Sequence, residues 1–422
     1  MFLRKILLII LFIVAVIALS IVLYFFFFAP AKPTVTPSEA PAEEFGKLPM
    51  SQEEFERLTA EERARLGLPE AGVVPSTERE ETGVSMPEYS EIASGGKTWV
   101  EIVANDVVIG AALASDGQKS VYYNKTDGKF YEIDAEGNKI ILSGQSFYNV
   151  EKINWAPTKD RVILEYPDGF KIMYDFRKQK QYTLPKNWSD FSWNSVGSRI
   201  AFKTTGGQVE QNWLAMANPD GTGLKPIAFM GENADKVIVN WSPNNQVVAF
   251  SRTGQSRGVW EQEILLIGQN QENFRSLIVE GRGFESQWSP SGEKIAYSVY
   301  SADSNYNPKL YVVNASGDKI GTGKIDTGLT TWSYKCTFAH NDVDLYCAVP
   351  RDLPQGVGLV PDLITRTQDD FYKINLQTGQ TTFLAESVLG GYDVQKMFVS
   401  QDGSLLYFID KNTNNLRYIR LK

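Results

Sequence analysis

Trp288-Ser289-Pro290-Ser291-Gly292-Glu293-Lys294-Ile295-Ala296-Tyr297 writes a strand end, a tight turn and a second strand in ten residues. Proline fixes one turn dihedral and glycine tolerates a positive φ, so the centre reads as a hairpin. Three more copies keep the tryptophan: Trp155-Ala156-Pro157 running to Leu164, Trp193-Asn194-Ser195-Val196-Gly197 running to Phe202, and Trp241-Ser242-Pro243 running to Phe250. Three degenerate copies lack it: Leu113 with Ser115-Asp116-Gly117, Phe338 with His340-Asn341-Asp342, and Val399 with Ser400-Gln401-Asp402-Gly403.

Successive copies are 42, 38, 48, 47, 50 and 61 residues apart, the spacing of one four-stranded propeller blade. The fifth unit also contains Leu310-Tyr311-Val312-Val313, β-branched and aromatic, then the turn Asn314-Ala315-Ser316-Gly317-Asp318, with a fourth strand expected from Lys319 onward. No helix-period segment interrupts residues 97–422, and aromatic residues make up 12% of the chain. The expectation is an all-β, seven-bladed β-propeller of four-stranded blades. The last unit ends one strand short. Thr98-Trp99-Val100-Glu101-Ile102-Val103 is an orphan strand upstream, expected to complete the seventh blade and remove an exposed edge.

The repeat resembles the WD-like β-propeller repeats of the TolB family and of bacterial surface propellers. The resemblance rests on the W-S-P-x-G-x-x-I-A-Y units and covers about residues 97–422. It implies an extracytoplasmic interaction module. The chain departs from TolB, which has fewer blades and a separate α/β domain.

Ile6–Phe28 is a run of 23 residues without a charge, long enough as a helix to span about 34 Å of bilayer. Arg4 and Lys5 precede it, so the N-terminus is expected in the cytoplasm and the propeller outside. The run exceeds a signal-peptide core, although Ala29-Pro30-Ala31 loosely resembles a cleavage site. The expected organisation is a transmembrane anchor over 1–28, an acidic Pro-rich stalk over 29–96 and the propeller over 97–422. Within the stalk, Ser51-Gln52-Glu53-Glu54 and Thr59-Ala60-Glu61-Glu62 read as capping boxes of a short helix. The stalk holds 14 acidic and 6 basic residues, so it accounts for the chain's net charge of −8. No basic face is left to suggest a nucleic-acid partner.

Cys336 and Cys347 lie at −2 and +9 of the sixth copy, which places them opposite each other across a hairpin. Outside the cytoplasm a disulfide is expected, the alternative being two buried thiols. His340 is the only histidine, so no metal site is expected. Gly254-Gln255-Ser256-Arg257-Gly258 matches a nucleophile pattern but lies between strands, away from any histidine. No phosphate-cradling or dinucleotide motif occurs, and no cofactor is expected.

The second-to-third strand loops of a propeller open on one face. Here they run longer in blades three to six than in blades one and two: Thr204–Gln211, Arg252–Trp260, Ser301–Pro308 and Pro350 to about Asp370. They carry Arg252, Arg257, Trp260, Tyr300, Asn305, Tyr306, Arg351 and Arg366, residue types typical of recognition surfaces. The reading is a membrane-tethered, non-catalytic scaffold for an envelope protein or a glycan. The alternative is a hydrolase or lyase acting on peptide or carbohydrate at the central channel.

Overall fold

The computed structural model describes residues 89–386 and 391–422. The apolar run Ile6–Phe28 and the two capping boxes lie outside them. Among the described residues no helix is long and apolar enough to cross a membrane.

The described chain forms seven four-stranded antiparallel sheets. Their innermost strands are Val108–Leu113, Lys152–Trp155, Trp188–Trp193, Val237–Val239, Arg282–Trp288, Cys336–Phe338 and Val394–Val399, in blades 1 to 7. The seventh sheet takes its outer strand from the other end of the chain: Glu101–Ala104 pairs with Asn415–Arg420, Glu101 facing Tyr418. The orphan strand therefore closes the ring as expected. Residues just before it, in the segment read as stalk, also lie on the ring. Ala93 N donates to Arg420 O in blade 7 at 2.8 Å, and Gly95 N to Leu384 O in blade 6 at 2.9 Å.

The repeat motif has a local cause. Four residues after the tryptophan position stand Gly117, Lys159, Gly197, Asn245, Gly292, Asp342 and Gly403, and all seven have φ between 54° and 74°. That left-handed position is what the motif's glycine serves. The serine after the tryptophan closes the same turn: Ser242, Ser289 and Ser400 hydroxyls accept from Val247 N, Lys294 N and Leu405 N at 2.9, 3.2 and 3.0 Å.

Among the described residues there is no single central core. Seven apolar clusters are each shared by two adjacent blades. The four repeat tryptophans are 5–8% exposed and sit in these seams. Trp155 Nε1 donates to Gly110 O at 2.6 Å, Trp193 Nε1 to Asn154 O at 3.3 Å and Trp288 Nε1 to Asn240 O at 3.1 Å, each reaching the preceding blade. Trp241 Nε1 has no hydrogen-bond partner among the described residues. The fourth strand of blade 5 is Ile325–Asp326 rather than starting at Lys319. Gly317–Lys319 instead makes a 3-10 turn, and Gly321 and Gly323 at φ 80° and 63° prolong the loop.

Candidate functional site

The first strand of each blade starts on the face where the second-to-third strand loops open. On that face the loops of blades 4, 5 and 6 interlock. Arg282, opening blade 5, donates from Nε to Val259 O and from Nη2 to Gly258 O, both at 3.1 Å, which pins the blade 4 loop. Trp260 of that loop meets Tyr306 of the blade 5 loop edge-to-face, ring centres 5.5 Å apart. Asn305 and Tyr306 are consecutive residues at φ 51° and 58°. Their carbonyls accept from Gly356 N at 3.0 Å and Gly358 N at 2.8 Å of the blade 6 loop. A Cβ on Gly358 would lie 2.6 Å from Tyr306 O and 2.8 Å from Tyr300 Cβ, so only glycine permits this approach. Val357 between them is fully buried.

The result is a ridge whose base is anchored and whose crest is apolar: Val259 is 70% exposed, Leu359 56%, Val360 45% and Leu363 58%. Of the eight residues singled out from sequence, Trp260, Tyr300, Asn305 and Tyr306 meet at the base of the ridge. Arg257 and Arg366 are exposed. Arg252 donates to Asp235 O at 2.7 Å. Arg351 grips Asp370 through two bonds of 2.9 and 2.7 Å, with Glu386 at 3.4 Å, so it organises the loop's root. The apolar crest was missed. Its signal is the run Gly356-Val357-Gly358-Leu359-Val360, followed by Leu363-Ile364, rich in aliphatic residues for a loop.

Beneath the same face lies a buried ionic cluster between blades 6 and 7. Lys335 Nζ contacts Asp369 Oδ2 at 2.6 Å, Asp393 Oδ1 at 2.9 Å and Thr367 Oγ1 at 2.7 Å. Burial raises the Asp369 carboxyl, and Lys335 only partly offsets it. Burial also pushes Asp393 upward, but Lys335 and Thr367 outweigh it and hold this carboxyl below its ordinary value. The expected disulfide is present: Cys336 and Cys347 are register partners bonded across the first hairpin of blade 6.

The channel along the ring axis is a cavity of 780 Å³. Its charged lining comes mainly from the position three residues before the repeat tryptophan, occupied by Gly110, Lys152, Asp190, Ile238, Glu285, Lys335 and Lys396 in blades 1 to 7. All but Lys335 line the cavity, with Glu165 and Tyr334 beside them. Enclosure by the ring raises the Glu285 and Glu165 carboxyls, depresses the Lys396 ammonium and raises the Tyr334 phenol. Sequence reasoning placed no residue here, because the signal appears only when the seven copies are aligned at that position. Among the described residues no three His, Cys, Asp or Glu side chains are grouped to hold a metal ion.

No protein-family model matches the sequence, and none of the characterised proteins compared with it matches significantly. Solved structures do match. The β-propeller domain of Cps50 (Swd1) from Myceliophteria thermophila superposes with a TM-score of 0.52 at 10% identity, covering 77% of this chain and 100% of that one. An oligogalacturonate lyase in complex with manganese gives 0.51 at 12% identity, covering 74% and 88%. The oligogalacturonate lyase of Vibrio parahaemolyticus gives 0.51 at 11%, covering 76% and 91%. At these identities the likeness shows the fold alone, a seven-bladed β-propeller of four-stranded blades.

Proposed function

We propose that this protein is a non-catalytic scaffold that captures a protein partner on the loop ridge of blades 4 to 6. The ring is held outside the cytoplasm by the Ile6–Phe28 anchor. The observation that supports this most directly is the crest: four aliphatic side chains, Val259, Leu359, Val360 and Leu363, stand in solvent on loops pinned to one another. A rigid apolar patch with exposed arginines at its rim loses little conformational freedom on binding and suits a protein surface better than a glycan. The test is a photo-crosslinking residue at Leu359 in the full-length chain in its native membrane, compared with the same residue at exposed His340 on the opposite face. A discrete adduct is expected from position 359, lost in Val259→Ser/Leu363→Ser. Equal adducts from both positions, or none from 359, refute the reading.

A lyase or hydrolase acting at the channel is the second reading. It rests on Glu285, a cavity-facing carboxyl raised by burial, and on the presence of oligogalacturonate lyases among proteins of this fold. Turnover of an oligogalacturonate, abolished by Glu285→Gln, would establish it; no turnover would remove it.

A further inference from the structure

The charges lining the channel are unevenly matched. Lys152 stands in register with Glu165 on the neighbouring strand. Asp190 Oδ2 meets Lys203 Nζ at 2.8 Å. Lys396 and Glu285 are less well matched: among the described residues neither side chain forms a hydrogen bond or an ion pair, Arg252 acting on Glu285 only at longer range, and both face the 780 Å³ cavity. They do not pair with each other: they stand on blades 7 and 5, and Ser333 and Tyr334, in the turn leading into blade 6, also line the cavity.

The distribution around the ring is also polar. Both ring lysines that face the cavity flank blade 1, where the equivalent residue is Gly110. Both ring carboxylates flank blade 4, where it is Ile238. Blades 1 and 4 are three steps apart in a ring of seven, as far apart as the ring allows. Lys159, in the first hairpin of blade 2, adds a further positive charge close enough to act on Lys396. With Lys152 and Asp190 matched by Glu165 and Lys203, the charge imbalance across the channel rests on Lys396 at one side and Glu285 at the other, and protein walls concentrate it.

Both side chains are open to the channel water, and protein walls on all sides weaken solvent screening there, so each gains from a ligand group of opposite charge. A simple anion would satisfy Lys396 and be repelled by Glu285; a simple cation would do the reverse. We propose that the channel binds a small zwitterion, an ω-amino acid or a short peptide, whose carboxylate meets Lys396 and whose ammonium meets Glu285. The two groups sit on non-adjacent blades, so several atoms must separate the ligand's charges. The cavity is within the range of small-molecule sites, about 300–1,000 Å³. This site is separate from the loop ridge and stands or falls without it.

The test is titration calorimetry on the full-length chain with 6-aminohexanoate, using hexanoate and hexylamine as single-charge controls. Saturable binding of 6-aminohexanoate is expected, with each control at least about tenfold weaker, a difference of about 1.4 kcal/mol. Lys396→Gln and Glu285→Gln should each weaken it at least about tenfold, whereas Lys396→Arg should retain it. Val259→Ser/Leu363→Ser on the ridge should leave it unchanged. No saturable binding, or hexanoate or hexylamine binding as tightly as the zwitterion, overturns the proposal. So does unchanged affinity in Lys396→Gln and Glu285→Gln variants that melt like the parent.

Discussion

Replacing Lys335 by methionine removes the cation from a cluster whose other members stay buried. Asp369 is 0% exposed and Asp393 3%. Each loses one charge-assisted hydrogen bond, of 2.6 and 2.9 Å. Such bonds contribute about 1.5–3 kcal/mol each, so the loss sums to about 3–6 kcal/mol. Some compensation remains: Asp393 keeps the Thr367 amide at 3.2 Å and hydroxyl at 2.8 Å and the more distant Lys411 ammonium at 4.0 Å, and Asp369 keeps the Val394 amide at 2.7 Å. The expected cost at neutral pH is therefore about 3–5 kcal/mol, as for other buried pairs broken from one side. The assay is urea denaturation followed by tryptophan fluorescence with the disulfide intact. The pH dependence carries the sign. In the parent, Asp393 is held low, so its contribution is present at neutral pH and is lost as pH falls through its folded value. In Lys335→Met both carboxyls are raised, so acidification relieves the variant. The gap must narrow from about pH 7 to about pH 4. Lys335→Met/Asp369→Asn/Asp393→Asn should recover most of the loss. A cost below about 1 kcal/mol, or a gap unchanged by acid, would refute the view that Lys335 neutralises both carboxylates.

Two further predictions separate hydrogen bonding and charge from packing. Trp155→Phe leaves Gly110 O without its indole donor, whereas Trp241→Phe removes a buried N–H that has no partner. Thermal or urea melts should show Trp155→Phe the more costly by about 1–3 kcal/mol; equal losses would mean the indole bond contributes nothing. Enclosure and the nearby Lys396 ammonium bring Lys159 down to about 8 from an ordinary 10.5. Below pH 8 Lys159 carries its charge in both folded and unfolded chains, so the folded state bears the full penalty. Between 8 and 10.5 the unfolded chain holds the extra proton, and stability rises with pH. Lys159→Gln should therefore melt higher than the parent at pH 7, with the advantage fading as pH approaches 10.5; an advantage constant across that range would contradict the assignment.

The blade count, the hairpin register and the disulfide were legible because they depend on residues near one another in sequence. Cys336 opposes Cys347 because the hairpin is short and its register is set by the same turn in every copy. The closing strand was legible from a counting argument, one strand too few at the end and one too many at the start. The candidate site was legible only in part. Loop length pointed to the face where the loops of blades 4 to 6 interlock and to Trp260, Tyr300 and Tyr306. Which loop residues would anchor and which would face solvent depended on Gly358 passing close to Tyr306 O. Arg351 looked like a recognition residue until the fold brought Asp370 and Glu386 to it.

By itself the sequence determined the repeating unit: seven turns at positive φ, seven strands in front of them, and apolar faces that only a neighbouring blade can cover. These are consequences of backbone sterics and strand periodicity, which act within a few residues. Only the tertiary structure decided which charges meet. Lys335 and Lys396 occupy the same position in successive repeats, yet one is buried between two aspartates and the other faces a cavity without a counter-charge. That difference comes from what residues far along the chain place beside each lysine, because the cost or benefit of a charge is set by its surroundings in space.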